Sequence, residues 1–351
     1  MRWYKRKNTQ ENTKKIVLVE FFTYHSECLY SQLLFLKDSG YKITLVCHVK
    51  LQAIVENFNL NIKCLFFDFD KISALFKFRN YLIKNKVTIV ILNTAQGSKA
   101  LKFFLLPFPR FISFYGIIHD TEKILKSKGQ KIICQKLKSY YSLAEYIYRP
   151  EIKHLTSQYF ETAFYPPYPL LKIDKKTDEI WVTIPGAIEY CRRDYEFLLT
   201  LARHPALSKT VKFVLLGNYR KREEGKIFIA KIINLKLENR FIYFDSFIDD
   251  GLFHSYIVAS DFLFPLIHPN TPDAQSYLKY KISGMFPFSQ AYSKTMLCHT
   301  LFADIKNFNY PILFYNSIDN IIPLINERNR NTDRFIIDFE INRQHYLSIL
   351  Q

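Results

Sequence analysis

Phe164-Tyr165-Pro166-Pro167-Tyr168-Pro169 sets three prolines within four positions near the middle of the chain. Proline fixes φ and donates no backbone hydrogen bond, so the stretch favours an extended linker over a helix or an interior strand. On both sides of it, short β-branched apolar runs alternate with longer helical patterns, which predicts βα units and parallel sheets covered on both faces. Before the linker the strand candidates are residues 16–22, 43–48, 62–67, 88–92, 111–115 and 131–134, with amphipathic helices at 27–37 and 72–84. After it they are 180–184, 211–216, 241–244, 261–267, 295–298 and 312–315, separated by helices at 194–203, 221–237 and 249–260. The expected fold class is α/β: two doubly wound Rossmann-like domains, residues 1–165 and 170–330, facing each other across a cleft. Ile341, Tyr346 and Ile349 give residues 331–351 a helical period, suited to a helix that packs back across the junction.

A chain of 351 residues, 48% hydrophobic and 17% aromatic, has enough apolar mass for two cores, which excludes disorder. No window approaches the roughly 20 apolar residues of a membrane-spanning helix. The N-terminal MRWYKRKNTQENTKK is too polar for a secretory signal, so a cytoplasmic chain is expected. Six scattered cysteines without a CxxC pair fit reduced thiols there. Charge is uneven: up to Tyr165 there are 26 basic against 12 acidic residues, a surplus of 14, and beyond it 23 against 20, a surplus of 3. A positive first half seeks nucleic acid, anionic lipid or an anionic substrate. Residues 98–114, SKALKFFLLPFPRFISF, set Lys99, Lys102 and Arg110 around eight Leu and Phe residues. That composition suits either peripheral attachment to the inner face of an anionic membrane or a buried helix and strand joined by a proline turn. The basic run from Arg2 to Lys15, with Trp3 and Tyr4 interleaved, would add to a membrane anchor.

Open α/β sheets bind ligands beyond the C-terminal ends of their strands, so function is expected in the strand-to-helix loops. The chain has only nine glycines, yet Gly97, Gly116, Gly186 and Gly217 each closely follow a strand candidate. Past Pro185-Gly186, the pair Arg192-Arg193 stands directly before Asp194, a natural N-cap, and a helix whose Phe197, Leu198, Leu201 and Ala202 share one face. Unpaired N–H groups at a helix start and paired guanidinium groups both suit phosphate oxygens, so this is a candidate diphosphate site. In Lys281-Ile-Ser283-Gly284, ahead of Pro287, the ammonium, a capping Ser283 hydroxyl and the Gly284 amide are expected to meet a second phosphate.

The order Pro185-Gly186-Ala-Ile, Arg192-Arg193-Asp194-Tyr, Val214-Leu-Leu-Gly217-Asn218, Ser260-Asp261-Phe-Leu and Lys281-Ile-Ser283-Gly284 resembles the donor half of a GT-B glycosyltransferase of the family-4, or "group 1", kind. The loop from Phe22 to His25, then Lys37-Asp38-Ser39-Gly40-Tyr41 and Tyr115-Gly116-Ile-Ile-His119-Asp120, resembles its acceptor half. The resemblance spans most of the chain and rests on order and spacing. It implies a metal-independent, hexosyltransferase-like enzyme of cell-surface polysaccharide synthesis, with no cofactor beyond its nucleotide-diphosphate sugar. The second domain would hold that donor, through Gly186, Arg192, Arg193, Gly217, Lys281, Ser283 and Gly284. The first would bind a glycan acceptor, free or lipid-linked. Negative charge grows on the departing diphosphate in the transition state, so pre-placed cations accelerate transfer. One departure stands out. Many members carry two glutamates eight positions apart in the donor half, whereas residues 271–293 contain no glutamate; Asp273 is their only carboxylate, and Lys281 stands eight positions later.

His25 and Glu27 follow the first strand, and His119 and Asp120 the fifth, so both pairs should open into the cleft. An imidazole beside a carboxylate takes a hydroxyl proton near neutral pH, which makes these four the catalytic candidates. An inverting enzyme would use one as base, and a retaining one could use His119 to hold the donor sugar. His48 and His268, at other strand ends, are lesser candidates. The sequence has no HExxH, GxSxG, GxGxxG or Walker A string, and Asp68-Phe-Asp70 simply ends a strand, so no metal is expected. Two other readings remain open: an epimerase or hydrolase of sugar nucleotides on the same fold, and a basic nucleic-acid-binding protein. The second lacks any binding motif or basic helical stripe, so nucleic acid is not an expected partner.

Overall fold

The computed structural model describes residues 14–328 and 337–350, in which the strands sort into two sheets on either side of the linker. β1 (Lys15–Glu20), β2 (Lys42–His48), β3 (Lys63–Phe67), β4 (Ile89–Leu92), β5 (Ser113–Ile117), β6 (Ser139–Ser142) and β7 (Thr156–Tyr159) form seven strands in the order β3-β2-β1-β4-β5-β6-β7. β8 (Ile180–Pro185), β9 (Val211–Asn218), β10 (Phe241–Phe244), β11 (Phe262–Leu263), β12 (Thr295–His299) and β13 (Ile312–Tyr315) form six in the order β10-β9-β8-β11-β12-β13. Every pairing between these strands is parallel. In each sheet the order reverses beside the first strand, so a crevice opens between β1 and β4 and another between β8 and β11. These are the two Rossmann-like halves that the alternation of apolar runs and helical patterns predicts.

Both faces of the first sheet are covered, which is why Ile16 to Val19 of β1 form an unbroken apolar run instead of alternating. Ile16 and Leu18 pack with Leu29, Leu33 and Phe35 on one face, while Val17 and Val19 pack with Phe78 and Phe103 on the other. Residues 131–134 are not a strand. They lie inside the helix Lys128–Lys136, whose first turn is capped by the Ser127 hydroxyl, with Ile133 and Cys134 turned into the core. Residues 261–267 also yield less strand than expected, only Phe262–Leu263. Pro265 has no donor for the ladder and Leu266 adopts φ 56°, which turns the chain out of the sheet. Of residues 98–114, Phe103, Phe104 and Phe114 are buried and Leu101, Leu106 and Phe108 pack against the same core, leaving Leu105 and Phe111 exposed. The buried reading therefore accounts for most of that stretch. The basic run at residues 2–7 lies outside the described residues. Among those described, no helix is long and apolar enough to cross a membrane, and all six cysteines are free thiols.

The helix Phe339–Ser348 lies against the helix Glu27–Leu36 and β7, so the end of the chain helps to cover the first sheet. Tyr346 is fully buried there. Its ring stacks on Tyr141 at 4.9 Å, its hydroxyl donates to Gln32 Oε1 at 3.1 Å, and its carbonyl accepts the Tyr141 hydroxyl at 2.5 Å. Replacing Tyr346 by alanine removes a buried ring and is expected to cost about 3–5 kcal/mol, read from chemical denaturation. An unchanged midpoint would show that the helix adds nothing to the first domain.

Candidate active site

Between the C-terminal ends of the two sheets lies a cavity of about 280 Å³. His25, Glu27, Thr94, Gln96, His119 and Asp120 line it from the first half, and Arg192, Tyr277, Lys281 and Gly284 from the second. Backbone bonds fix the two sides together beside it: Thr121 N–H donates to the Tyr280 carbonyl at 3.0 Å, and Tyr148 N–H to that of Lys279 at 2.7 Å.

The two histidines stack face to face, ring centroids 3.8 Å apart. His25 reaches this position with φ 63°, a left-handed conformation unusual for a residue with a side chain. Its Nδ1 lies 3.2 Å from Glu27 Oε1. A carboxylate can only accept, so that nitrogen carries a proton and Nε2 is the basic one in the neutral ring. Burial works against a charged His25 ring, but the Glu27 bond and charge, with Glu20 behind, outweigh it and raise its pKa above the usual histidine value, while Arg192 opposes them. His119 is pushed the other way. Burial and the charge of His25 hold it neutral, and its Nε2 donates to the Asn93 carbonyl at 2.8 Å, which leaves Nδ1 as an acceptor.

A buried polar network holds this pair from beneath. Asn93 Nδ2 donates to Glu20 Oε2 at 2.6 Å and to the His25 carbonyl at 2.8 Å, while Asn93 Oδ1 accepts Gln32 Nε2 at 2.6 Å. Burial pushes Glu20 up to about 7 against the pull of Thr94, Asn93 and the Phe22 amide. Sequence reasoning named none of these residues. Asn93-Thr94-Ala95-Gln96-Gly97 directly follows β4 at the order reversal, a position that marks it in retrospect.

The arginine doublet is split. Arg192 faces the cavity, half exposed, with Nε 2.7 Å from Glu189 Oε2. Arg193 turns back into its own loop, donating to the carbonyls of Ala187 at 2.8 Å and Pro185 at 2.5 Å, and it does not line the cavity. Gly186, at φ 98°, lets the loop make this turn over the Arg193 guanidinium. Gly217 lies beneath it: a Cβ there would stand 2.4 Å from the Gly186 carbonyl oxygen, a backbone atom that cannot swing aside. Gly217→Ala should therefore cost about 1–3 kcal/mol in thermal or chemical denaturation, and full native stability would contradict the close approach. Asp194 caps the helix Tyr195–Arg203 through Phe197 N–H at 2.9 Å, and its other oxygen takes His268 Nδ1 at 3.0 Å, so His268 is part of that cap. Lys281 Nζ pairs with Asp273 at 2.7 Å, so an ion pair occupies the two positions where glutamates were expected. Gly284, not Ser283, is the N-cap of the helix Met285–Ala291; the Ser283 hydroxyl accepts from Met285 N–H at 3.4 Å, and only Gly284 of the two lines the cavity.

Away from the cavity, His48, Asp68 and Asp70 bring ligand atoms within 4.8 Å of one another, a possible metal set. Its carboxylates are already paired, Asp70 with Lys99 at 2.7 Å and Lys50 at 3.2 Å, and Asp68 with Lys71 at 3.0 Å. The bonds to Lys99 and then Lys50 hold Asp70 well below the usual carboxylate range. A cation would have to displace these ammonium groups.

Neither a family model nor a curated protein matches the sequence. Solved structures do match. A glycosyltransferase from Rickettsia africae ESF-5 superposes with a TM-score of 0.60 at 12% identity, over 96% of this chain and 94% of that one. HepE of Anabaena, solved in complex with UDP and glucose, gives 0.65 at 11% identity, over 96% and 97%. The fold is GT-B. A UDP-N-acetylglucosamine 2-epimerase also superposes, at 0.53 and 11% identity over 81% and 78%, so the fold alone does not separate transfer from isomerisation.

Proposed function

We propose that the protein transfers a sugar from a nucleoside-diphosphate donor to a glycan acceptor. The observation that carries the reading is the single cavity in which Arg192, Lys281 and Gly284 of the second half face His25, Glu27, His119 and Asp120 of the first. Cations on one wall suit a diphosphate leaving group, and a carboxylate-held imidazole on the other suits an acceptor hydroxyl. As the sugar leaves the diphosphate, Arg192 and Lys281 take up the growing charge. The neutral Nε2 of His25 receives the hydroxyl proton, with Glu27 stabilising the imidazolium that forms, while Nδ1 of His119 accepts from a sugar hydroxyl. Arg193, Gly186 and Gly217 shape the donor loop without touching the ligand, and Ser283 supports the turn at Gly284. The positive first half fits an acceptor presented at an anionic membrane, and cell-surface polysaccharide is the class of product in view. The HepE structure, with UDP and glucose, supports a sugar nucleotide as donor for this fold.

The test is a panel of UDP-, GDP- and TDP-sugars incubated with and without a glycan extract, followed by mass spectrometry. Acceptor-dependent release of nucleoside diphosphate supports transfer. Conversion of the donor to an isomer with no acceptor present would instead favour the epimerase-like reading, which the matching 2-epimerase keeps in play.

A further inference from the structure

The active-site cavity does not end at Glu27. A second cavity of about 240 Å³ shares Glu27 and Tyr165 with it, and a third of about 470 Å³ shares Tyr168 and Phe247 with the second. Together they form a groove that runs from the site outward past the proline linker. Tyr30, Tyr168, Phe253 and Phe247 give it aromatic walls, and Phe247 is 80% exposed on its lip. Its polar groups include the carboxylates Glu27, Asp249 and Asp250, the amides Asn57 and Asn59 and the Ser26 hydroxyl. Among the described residues no lysine or arginine lines the second or third cavity, although the chain carries a net charge of +17. Its imidazole, His254, is held neutral by burial at about 4.

We propose that this groove binds an uncharged oligosaccharide, the earlier residues of the glycan whose terminal hydroxyl enters the site; this rests on the sugar-transfer reading. Sugar rings present C–H faces that lie on aromatic rings, and hydroxyls that carboxylates and amides receive. A phosphorylated or sulfated chain would meet carboxylates with no cation to offset them. A hydrocarbon tail would leave Asp250, Asn57 and Asn59 facing apolar matter, at a cost that a hydroxylated chain avoids.

The experiment uses maltotetraose, cellotetraose, chitotetraose and lacto-N-neotetraose, each with its disaccharide, and octyl glucoside as the hydrocarbon probe. Binding is read by saturation-transfer NMR and calorimetry on the full chain. At least one tetrasaccharide is expected to bind about tenfold more tightly than its disaccharide, and Phe247→Ala, a change at an exposed side chain, is expected to erase that gain. UDP and GDP binding should be the same in both proteins. The proposal is overturned if no tetrasaccharide exceeds its disaccharide, if the gain survives Phe247→Ala, or if saturation reaches the octyl chain in place of sugar rings. A chain-length gain without any nucleotide binding would support the groove and sink the donor site alone.

Discussion

Arg192→Ala is expected to weaken nucleoside diphosphate binding by roughly 10- to 100-fold, while Arg193→Ala leaves it within a few-fold of the parent. The difference follows from where each guanidinium points. Arg192 lines the cavity, and a charge-assisted hydrogen bond contributes about 1.5–3 kcal/mol. Arg193 spends its donors on the Pro185 and Ala187 carbonyls, so its loss should appear as lower stability of the loop and of the fold. A thermal-shift panel of UDP, GDP, TDP and CMP with both variants measures this directly. If Arg193→Ala abolished binding and Arg192→Ala left it intact, the assignment of the two residues would be reversed.

The second large effect concerns the proton. His25→Ala is expected to slow transfer by about 10²- to 10⁴-fold with nucleotide binding retained, the usual yield of a positioned general base. The pH profile carries the sharper test. A base works only when neutral, and the pKa of His25 is raised by Glu27, so the rate should fall as pH drops through a value higher than that of an unperturbed histidine. Glu27→Gln removes the carboxylate charge that raises this pKa and should move the acidic limb to lower pH, along with a lower plateau because a neutral amide can still accept from Nδ1 but stabilises the imidazolium less. A limb that stays in place in Glu27→Gln would remove His25 from the role of base.

Much of this architecture was legible because its strands are buried on both faces. Runs such as Ile16 to Val19 admit little other reading, and the prolines at 166, 167 and 169 mark the break between sheets. β6 and β7 escaped because Ser139-Tyr-Tyr-Ser and Thr156-Ser-Gln-Tyr carry hydroxyls and an amide where apolar residues were sought, although Tyr140 and Tyr141 are wholly buried. The site was legible in its residue types and less so in their directions. His25, Glu27, His119, Asp120, Arg192, Lys281 and Gly284 converge on one cavity, whereas adjacent Arg192 and Arg193 diverge, because the Pro185 and Ala187 carbonyls draw the Arg193 guanidinium back into its own loop. The network of Glu20, Gln32 and Asn93 was invisible in one dimension, since its members stand on β1, on the helix Glu27–Leu36 and in the loop after β4, and meet only once β1 pairs with β4 and the helix packs on the sheet.

The stacking of Tyr346 on Tyr141 also sets an order of events during synthesis on the ribosome. The surface formed by Phe35, Tyr141 and Phe160 is made early, and the helix that shields it emerges only after the whole second half has been translated. At about 5–20 residues per second, the nascent first half waits some ten seconds or more with that aromatic face open to water. It must be tolerated, or guarded by a chaperone, until the helix Phe339–Ser348 arrives to close it.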